Sequence, residues 1–152
     1  ILNAVMDVNS RQRKFFFDDI KKRYNNNLTG KTVAVWGLSF KPNTDDIRES
    51  PALDIISNLL ADGCKIQAYD PEAMSNVKKV FGDRIFFAEG MYEALEGADF
   101  LIIATEWTVF RTPNFDNLIN KLKDKTIFDG RNIYEKDQML ELGFDYFSIG
   151  RP

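Results

Sequence analysis

The segment that decides the fold runs Thr32-Val-Ala-Val-Trp-Gly-Leu-Ser-Phe-Lys-Pro-Asn-Thr-Asp-Asp-Ile-Arg-Glu-Ser-Pro51. Its first part, Thr32 to Trp36, is apolar and rich in β-branched residues, which predicts a buried β-strand. Its last part, Ser50-Pro51, combines a favoured N-cap residue with proline at the first helical position. Loops between the carboxyl end of a strand and the amino end of a helix bind phosphates and nucleotides in α/β folds. The segment therefore predicts an α/β domain with a binding site in residues 37–49.

Strand-like and helix-like patterns alternate along the rest of the chain. Asp99-Phe-Leu-Ile-Ile-Ala104 is the most apolar run, so we expect it at the centre of the sheet. The predicted strands are 32–36, 65–69, 85–88, 99–104, 126–128 and 145–149. The predicted helices are 1 to about 24, 51–62, 72–80, 91–95, 115–122 and 135–142. This alternation predicts a Rossmann-like, doubly wound parallel sheet preceded by one long N-terminal helix.

The composition restricts the class of protein. The chain has 152 residues, of which 44% are hydrophobic and 13 are phenylalanine, enough for one packed domain. Its net charge of −3 argues against a general nucleic-acid binder. No apolar run reaches the length of about 18 residues that a membrane helix requires. We therefore expect a soluble, cytoplasmic protein without nucleic-acid or membrane partners.

Histidine is absent, and Cys64 is the single cysteine. The chain therefore lacks the commonest general base and the commonest metal ligand, and no metal site is expected. Cys64 follows a glycine at the start of a predicted strand and has no histidine to activate it. We interpret it as a small buried residue rather than a nucleophile.

The loop after the first strand contains two candidate binding residues, Phe40 and Lys41. A lysine at this position can meet a phosphate as a point charge. The neighbouring aromatic ring can pack on a base or a sugar. The pair is therefore typical of a nucleotide site.

Two arginines follow the same logic but leave alternatives open. Arg48 can reach a ligand, or it can form a structural ion pair with Asp45, Asp46 or Glu49. Arg131 follows a strand end and a glycine, and its forked guanidinium suits a phosphate or a carboxylate. A bond from Arg131 to local carbonyl oxygens is an equally good interpretation.

A dinucleotide site is less well supported. The Gly-x-Gly-x-x-Gly fingerprint is missing, since Gly37 is the only glycine in the loop after the first strand. Asp70 occupies the position of a ribose-binding carboxylate, yet Asp70-Pro71 is also a common turn start. Without the glycines, the turn is the better interpretation. Trp107, after the central strand, can be a core residue or a lid.

Several segments resemble, in order, the C-terminal, nucleotide-sugar-binding domain of the UDP-glucose 6-dehydrogenase family. They are Val33 to Ala52, Tyr69-Asp-Pro71, Ala104-Thr-Glu-Trp107, Phe128-Asp-Gly-Arg-Asn132 and Ser148-Ile-Gly-Arg151, with Val8-Asn-Ser-Arg-Gln12 resembling the end of that family's central helix. The resemblance covers essentially the whole chain. Thr105-Glu-Trp107 favours the UDP-glucose branch, with the UDP-N-acetylmannosamine and GDP-mannose branches as alternatives.

The resemblance implies a division of the chain. Residues 1–28 would be the end of a central dimerisation helix, and residues 29–152 would form the UDP-sugar-binding, Rossmann-like domain. The full-length enzyme is then expected to be a homodimer through that helix. It would oxidise the C6 alcohol of UDP-glucose to a carboxylate with NAD, giving UDP-glucuronate.

The resemblance also implies residue roles. Phe40, Lys41 and Arg131 would bind the UDP-sugar, and Arg48 would reach across an interdomain cleft to NAD. The dinucleotide fingerprint and the family's nucleophilic cysteine are not in this chain, so NAD would be bound mainly elsewhere. We expect a fragment that is inactive alone and carries no catalytic residue. The competing interpretations are a free-standing nucleotide-binding Rossmann module and a non-enzymatic assembly module.

Overall fold

A six-stranded parallel sheet organises the computed structural model, which describes residues 16–149. The strands are β1 (Thr32–Trp36), β2 (Lys65–Tyr69), β3 (Phe86–Phe87), β4 (Phe100–Ile103), β5 (Thr126–Asp129) and β6 (Asp145–Ser148). Their order is β3-β2-β1-β4-β5-β6, and every neighbouring pair is parallel. This is the strand order of a doubly wound dinucleotide-type fold, which confirms the predicted sheet. The apolar run at β4 lies in the centre, as predicted.

The helices lie in the predicted positions, with two additions. They are α1 (16–23), α2 (Pro51–Ala61), α3 (Met74–Phe81), α4 (Thr108–Arg111), α5 (Phe115–Lys121) and α6 (Lys136–Glu141), with 3-10 turns at Gly82–Arg84 and Glu93–Leu95. The helix predicted at 91–95 is the second 3-10 turn. The first 3-10 turn and α4 were not predicted. The helix predicted from residue 1 is described from residue 16, and its earlier part lies outside the described residues.

Both faces of the sheet carry a core because successive strand residues point to opposite sides. Val33 and Val35 of β1 face the cluster that contains α1, α2 and α3. Ala34 and Trp36 face the cluster that contains α4, α5 and α6. All four residues of β4 are completely buried, as expected for a central strand covered on both faces.

The helix α1 belongs to the first of these clusters. Ile20 is completely buried, and the Phe16 ring meets the Phe128 ring edge-on at 6.3 Å between centroids. Beyond the helix, the Tyr24 ring stacks on Phe100 at 5.0 Å, and its hydroxyl donates to Asp124 Oδ2 at 2.9 Å. Residues 16–24 are therefore packed on the sheet. The domain division at 28/29 stays a prediction.

None of the helices within residues 16–149 combines the length and the apolar character that crossing a bilayer requires.

Candidate functional site

The carboxyl ends of the central strands meet at one edge of the sheet. The register pairs Trp36 with Tyr69 on one side and with Ile103 on the other, and Ile103 with Asp129. The loops that follow β1, β2, β4 and β5 therefore start at the same level. This edge brings together the segments predicted to carry the site, namely residues 37–49, 70–71, 105–107 and 129–132.

Gly37 allows the first of these loops to lie against the end of β4. Its φ is +97°, and a Cβ atom at this position would be 2.5 Å from both Cβ and the backbone nitrogen of Thr105. Thr105 Oγ1 then donates to the carbonyl oxygen of Ser39 at 2.7 Å. A side chain at residue 37 would therefore separate the two loops.

Asp70 holds the base of the loop that follows β1. Asp70 is completely buried, and its Oδ2 accepts from the backbone N–H groups of Leu38 at 2.7 Å and Ser39 at 3.1 Å. The same oxygen lies 3.1 Å from the indole nitrogen of Trp107, and Oδ1 accepts from two N–H groups of the following turn at 2.8 Å each. Both oxygens are thus engaged by protein donors. This geometry supports the turn interpretation of Asp70 and makes Trp107, only 8% exposed, a core residue rather than a lid.

The same loop presents Phe40 and Lys41 to solvent. The Phe40 side chain is 45% exposed, and Lys41 is exposed as well. The Phe40 N–H donates to the Asp46 carbonyl at 2.7 Å, and Ser39 Oγ donates to the Lys41 carbonyl at 2.8 Å. The backbone of the loop is therefore fixed while these two side chains remain accessible.

Ser50 closes the loop at its other end, in a way that differs from the prediction. Ser50 is the N-cap residue of α2 and Pro51 follows at the first helical position, as predicted. The expected capping hydrogen bond is absent, since Ser50 Oγ donates to the Leu38 carbonyl at 2.8 Å instead. Ser50 is buried beneath the loop, where this carbonyl is the partner within reach.

Arg48 forms one of the ion pairs that the sequence left open. Its Nε lies 3.0 Å from Asp46 Oδ1, and its Nη2 lies 2.8 Å from Asp46 Oδ2. The hydrogen bonds from Arg48 lower the pKa of Asp46 to about 2 and raise the pKa of Arg48 itself. The Arg48 side chain remains 87% exposed and lines a surface depression of about 280 Å³ with Phe40, Asp46 and Glu49. Its predicted contact with NAD stays a prediction.

Arg131 forms an ion pair that the sequence did not predict. Its Nε and Nη2 donate to Glu106 Oε2 at 2.8 and 2.5 Å, and its backbone N–H donates to Asp129 Oδ1 at 2.9 Å. The partner is therefore a carboxylate on the neighbouring strand's loop rather than a local carbonyl oxygen. Glu106 lies between the loop of Lys41 and the loop of Arg131, because β4 lies between β1 and β5.

Asp129 organises the β5 loop as Asp70 organises the β1 loop. It is completely buried, and its Oδ2 accepts from the Tyr146 hydroxyl at 2.6 Å and from the Ile133 N–H at 2.8 Å. Asn132, in the left-handed region at φ 56°, then exchanges two hydrogen bonds with the backbone of Ile149. The sequence signal for Asp70 and Asp129 was an aspartate just after, or at, the last position of a strand.

Cys64 lies at the opposite edge of the sheet, just before β2. It is 6% exposed, and its Sγ donates to the Leu28 carbonyl at 3.4 Å. Burial raises the pKa of the thiol to about 11. The prediction of a buried, unactivated cysteine is confirmed.

Comparison with known proteins agrees with this arrangement. Residues 34–136 match the UDP-glucose/GDP-mannose dehydrogenase family, UDP binding domain. UDP-glucose 6-dehydrogenase of Pseudomonas aeruginosa is 40% identical over 157 residues, which cover 100% of this chain and 35% of that protein.

Solved structures show the same likeness. A UDP-glucose dehydrogenase from Pyrobaculum islandicum superposes with a TM-score of 0.79 at 29% identity, over 97% of this chain and 31% of that one. UDP-D-ManNAc dehydrogenase from Pyrococcus horikoshii gives 0.70 at 27% identity, over 91% and 30%. The chain thus spans about a third of the length of the relatives it matches. It belongs to the UDP-glucose/GDP-mannose dehydrogenase family, with residues 34–136 matching the UDP binding domain of that family.

Proposed function

We propose that this chain binds a UDP-sugar at the carboxyl edge of its sheet. The observation that carries the proposal is the pair Phe40 and Lys41, both exposed, on a loop whose backbone is fixed by Asp70 and Ser50. Lys41 forms no salt bridge with any residue in the range 16–149, although its charge contributes to lowering the pKa of Asp46, so its ammonium group is available to a diphosphate. Phe40 offers an apolar face to the uracil or the ribose. Arg131, at the same edge, supplies further N–H donors.

A dinucleotide does not fit this edge in the usual way. The side chain that would bind its ribose, Asp70, already accepts hydrogen bonds from the backbone of two loops. Gly37 allows the close approach to Thr105, and no further glycine follows it in residues 38–49. We therefore propose that NAD is held by another part of the protein. Arg48, largely exposed, would reach NAD from this side.

We further propose that the whole protein oxidises the C6 alcohol of UDP-glucose to a carboxylate with NAD, giving UDP-glucuronate. The names and identities of the relatives support this proposal. The described residues offer no activated thiol, because Cys64 is buried at the opposite edge. The chain alone is therefore expected to bind UDP-glucose but not to oxidise it. UDP-N-acetylmannosamine is the alternative substrate, since a structural relative carries that name.

A homodimer through the N-terminal helix and a cytoplasmic location both stay predictions. The structure does bear on how a dimer should be tested. Ile20 and Phe16 belong to the domain core, so a truncation that removes them would disturb the fold as well as any interface. Substitutions on exposed positions of α1, such as Asp19 and Lys22, with the molar mass measured by light scattering, avoid that difficulty.

Calorimetric titration of the chain with UDP-glucose, UDP and NAD tests the binding proposal. We expect UDP-glucose and UDP to bind and NAD not to bind. Binding of NAD alone would support the free-standing dinucleotide module instead. A separate assay of the full-length protein, following NADH formation with UDP-glucose or UDP-N-acetylmannosamine, would decide the substrate.

A further inference from the structure

We infer that Glu106 is a positioning residue that aims the Arg131 guanidinium at the bound UDP-sugar. This inference rests on the proposed function, since it concerns the same site. It assigns Glu106 a role in ligand binding through Arg131 rather than by direct contact. In the alternative role, Glu106 would be a latch: it would hold Arg131 until the ligand displaces Glu106. That role predicts that mutation of Glu106 strengthens ligand binding instead of weakening it.

Within residues 16–149, the pair leaves three of the five guanidinium N–H donors of Arg131 without a partner. A guanidinium has five N–H donors in a planar fork. The donors on the Nε side of Arg131 go to Glu106, where both Nε and Nη2 meet the single oxygen Oε2. The other donors, on Nη1 and the far side of Nη2, make no hydrogen bond with residues 16–149. Arg131 can therefore bind a ligand without releasing Glu106.

The burial of Glu106 argues that the pair stays together. Its side chain is 21% exposed, and Oε1 is buried without a hydrogen-bond partner in the described part of the chain. If Arg131 left, the carboxylate would lose the partner of its other oxygen as well. Separating a largely buried charge from its only partner among residues 16–149 is far more costly than breaking an exposed ion pair. Exchange of Arg131 from Glu106 to a ligand is therefore disfavoured.

The strand register fixes where this pair lies. Ile103 pairs with Asp129, so Glu106 and Arg131 leave the sheet from adjacent strands at the same edge. The Arg131 N–H is anchored on Asp129 and the guanidinium on Glu106, so both ends of the residue are held. A side chain fixed in this way loses little rotamer freedom when a ligand binds.

The Arg131–Glu106 pair and Lys41 would contribute differently to the electrostatics of the site. Arg131 and Glu106 together are neutral, so they offer directed hydrogen bonds rather than net charge. Lys41 forms no such pair with the described residues 16–149, and it would supply net positive charge toward the diphosphate. Removing the Glu106 charge should therefore loosen Arg131 and also leave its positive charge unbalanced, which would make binding more sensitive to salt.

The test is a calorimetric titration of the full 152-residue chain with UDP-glucose at low and high NaCl concentration. We expect Glu106→Gln to weaken binding by about fivefold, on the scale of one hydrogen bond, and to steepen its salt dependence. Arg131→Gln should weaken binding at least as much, and the double variant no more than Arg131→Gln alone. The matched control is Glu141→Gln, which makes the same change of charge at an exposed position. Glu141 is the last residue of α6 and precedes the start of β6, so it lies near the edge of the sheet where the strands begin. This control should bind like the unmodified chain.

The outcomes separate the two proposals. If the unmodified chain binds neither UDP-glucose nor UDP, the proposed function fails and this inference fails with it. If the unmodified chain binds and Glu106→Gln binds equally well or more tightly, only the positioning role is overturned. Tighter binding would identify Glu106 as a latch.

A second measurement follows ligand binding to the unmodified chain, and a variant serves only to assign the resonance. The Arg131 side-chain Nε–H resonance, assigned by its loss in Arg131→Lys, reports the bond to Glu106. A positioning role predicts that this resonance stays protected from solvent exchange when UDP-glucose is added. Loss of that protection on binding would overturn the inference.

Discussion

At the level of single residues, Lys41 is the exposed positive charge that would meet the diphosphate of a UDP-sugar. It lies on a loop whose backbone is already fixed, so a diphosphate would not have to order the loop in order to meet it. Hydrogen bonds to charged groups contribute about 1.5 kcal/mol or more. We therefore predict that Lys41→Ala weakens UDP binding by about tenfold, measured by calorimetry.

The control for this prediction is Lys65→Ala. Lys65 is also exposed but lies at the first position of β2, on the opposite edge of the sheet. It should leave UDP affinity unchanged. Equal affinities of the Lys41 and Lys65 variants would remove Lys41 from the site.

Cys64 allows a pH-dependent prediction. Burial raises its thiol pKa to about 11, above the ordinary value near 9. The folded state therefore keeps its proton where an unfolded thiol would lose it. The stability that this group contributes is complete below about pH 9 and is lost as the pH rises through about 11.

We accordingly predict that an aromatic disulfide reagent modifies native Cys64 slowly at pH 8 to 9. The rate should rise with urea as the fold opens, because only the exposed thiolate reacts. The rate is followed by absorbance, with the fully unfolded chain as the reference. Modification of the native chain at the rate of the unfolded one would show that Cys64 is accessible.

At the scale of elements, the contact between the ends of β1 and β4 depends on Gly37. We predict that Gly37→Ala destabilises the fold by about 3 kcal/mol, because the new methyl group would overlap Thr105 and φ is positive. Gly30→Ala is the matched control, since Gly30 has φ +80° and nothing within 4 Å of the added Cβ. It should lose only about 1 kcal/mol, the cost of the backbone strain alone. Similar losses in urea unfolding would show that the close approach to Thr105 has no role.

The sequence was sufficient to predict the elements that depend on local pattern. The strands β1 and β4 are short apolar runs, and α2 begins at the expected Ser50-Pro51. It was not sufficient for α4, a single turn of four residues whose N-cap position is a tryptophan without a capping bond. It also missed that the Ser50 hydroxyl would bind the Leu38 carbonyl, since this bond spans twelve positions and depends on how the loop closes.

The same distinction applies to the candidate site. The location of Phe40 and Lys41 in the loop after β1 was predictable, because the apolar run that forms β1 ends at Trp36. The pairing of Arg131 with Glu106 was not, because it requires the register of β4 against β5. The many hydrogen bonds to Asp70 likewise come from loops that meet only in the folded sheet.

At the scale of the whole molecule, α1 is part of the core of the domain. We predict that Ile20→Ala lowers the free energy of unfolding by about 3 kcal/mol, as for other completely buried large residues. Lys22→Ala, at an exposed position of the same helix, should change it by less than about 0.5 kcal/mol. Urea unfolding measures both. Equal effects would mean that α1 does not contribute to the core in solution.

Whether the carboxyl edge of this sheet binds a UDP-sugar can be decided by NMR mapping of the chain titrated with UDP. We predict that backbone amide shifts change in residues 37–50 and 129–132 and stay unchanged at the opposite edge, around Lys31 and Asp124. NAD should produce no comparable changes. Shifts confined to the opposite edge, or produced by NAD and not by UDP, would show that the carboxyl edge is not a UDP-sugar site.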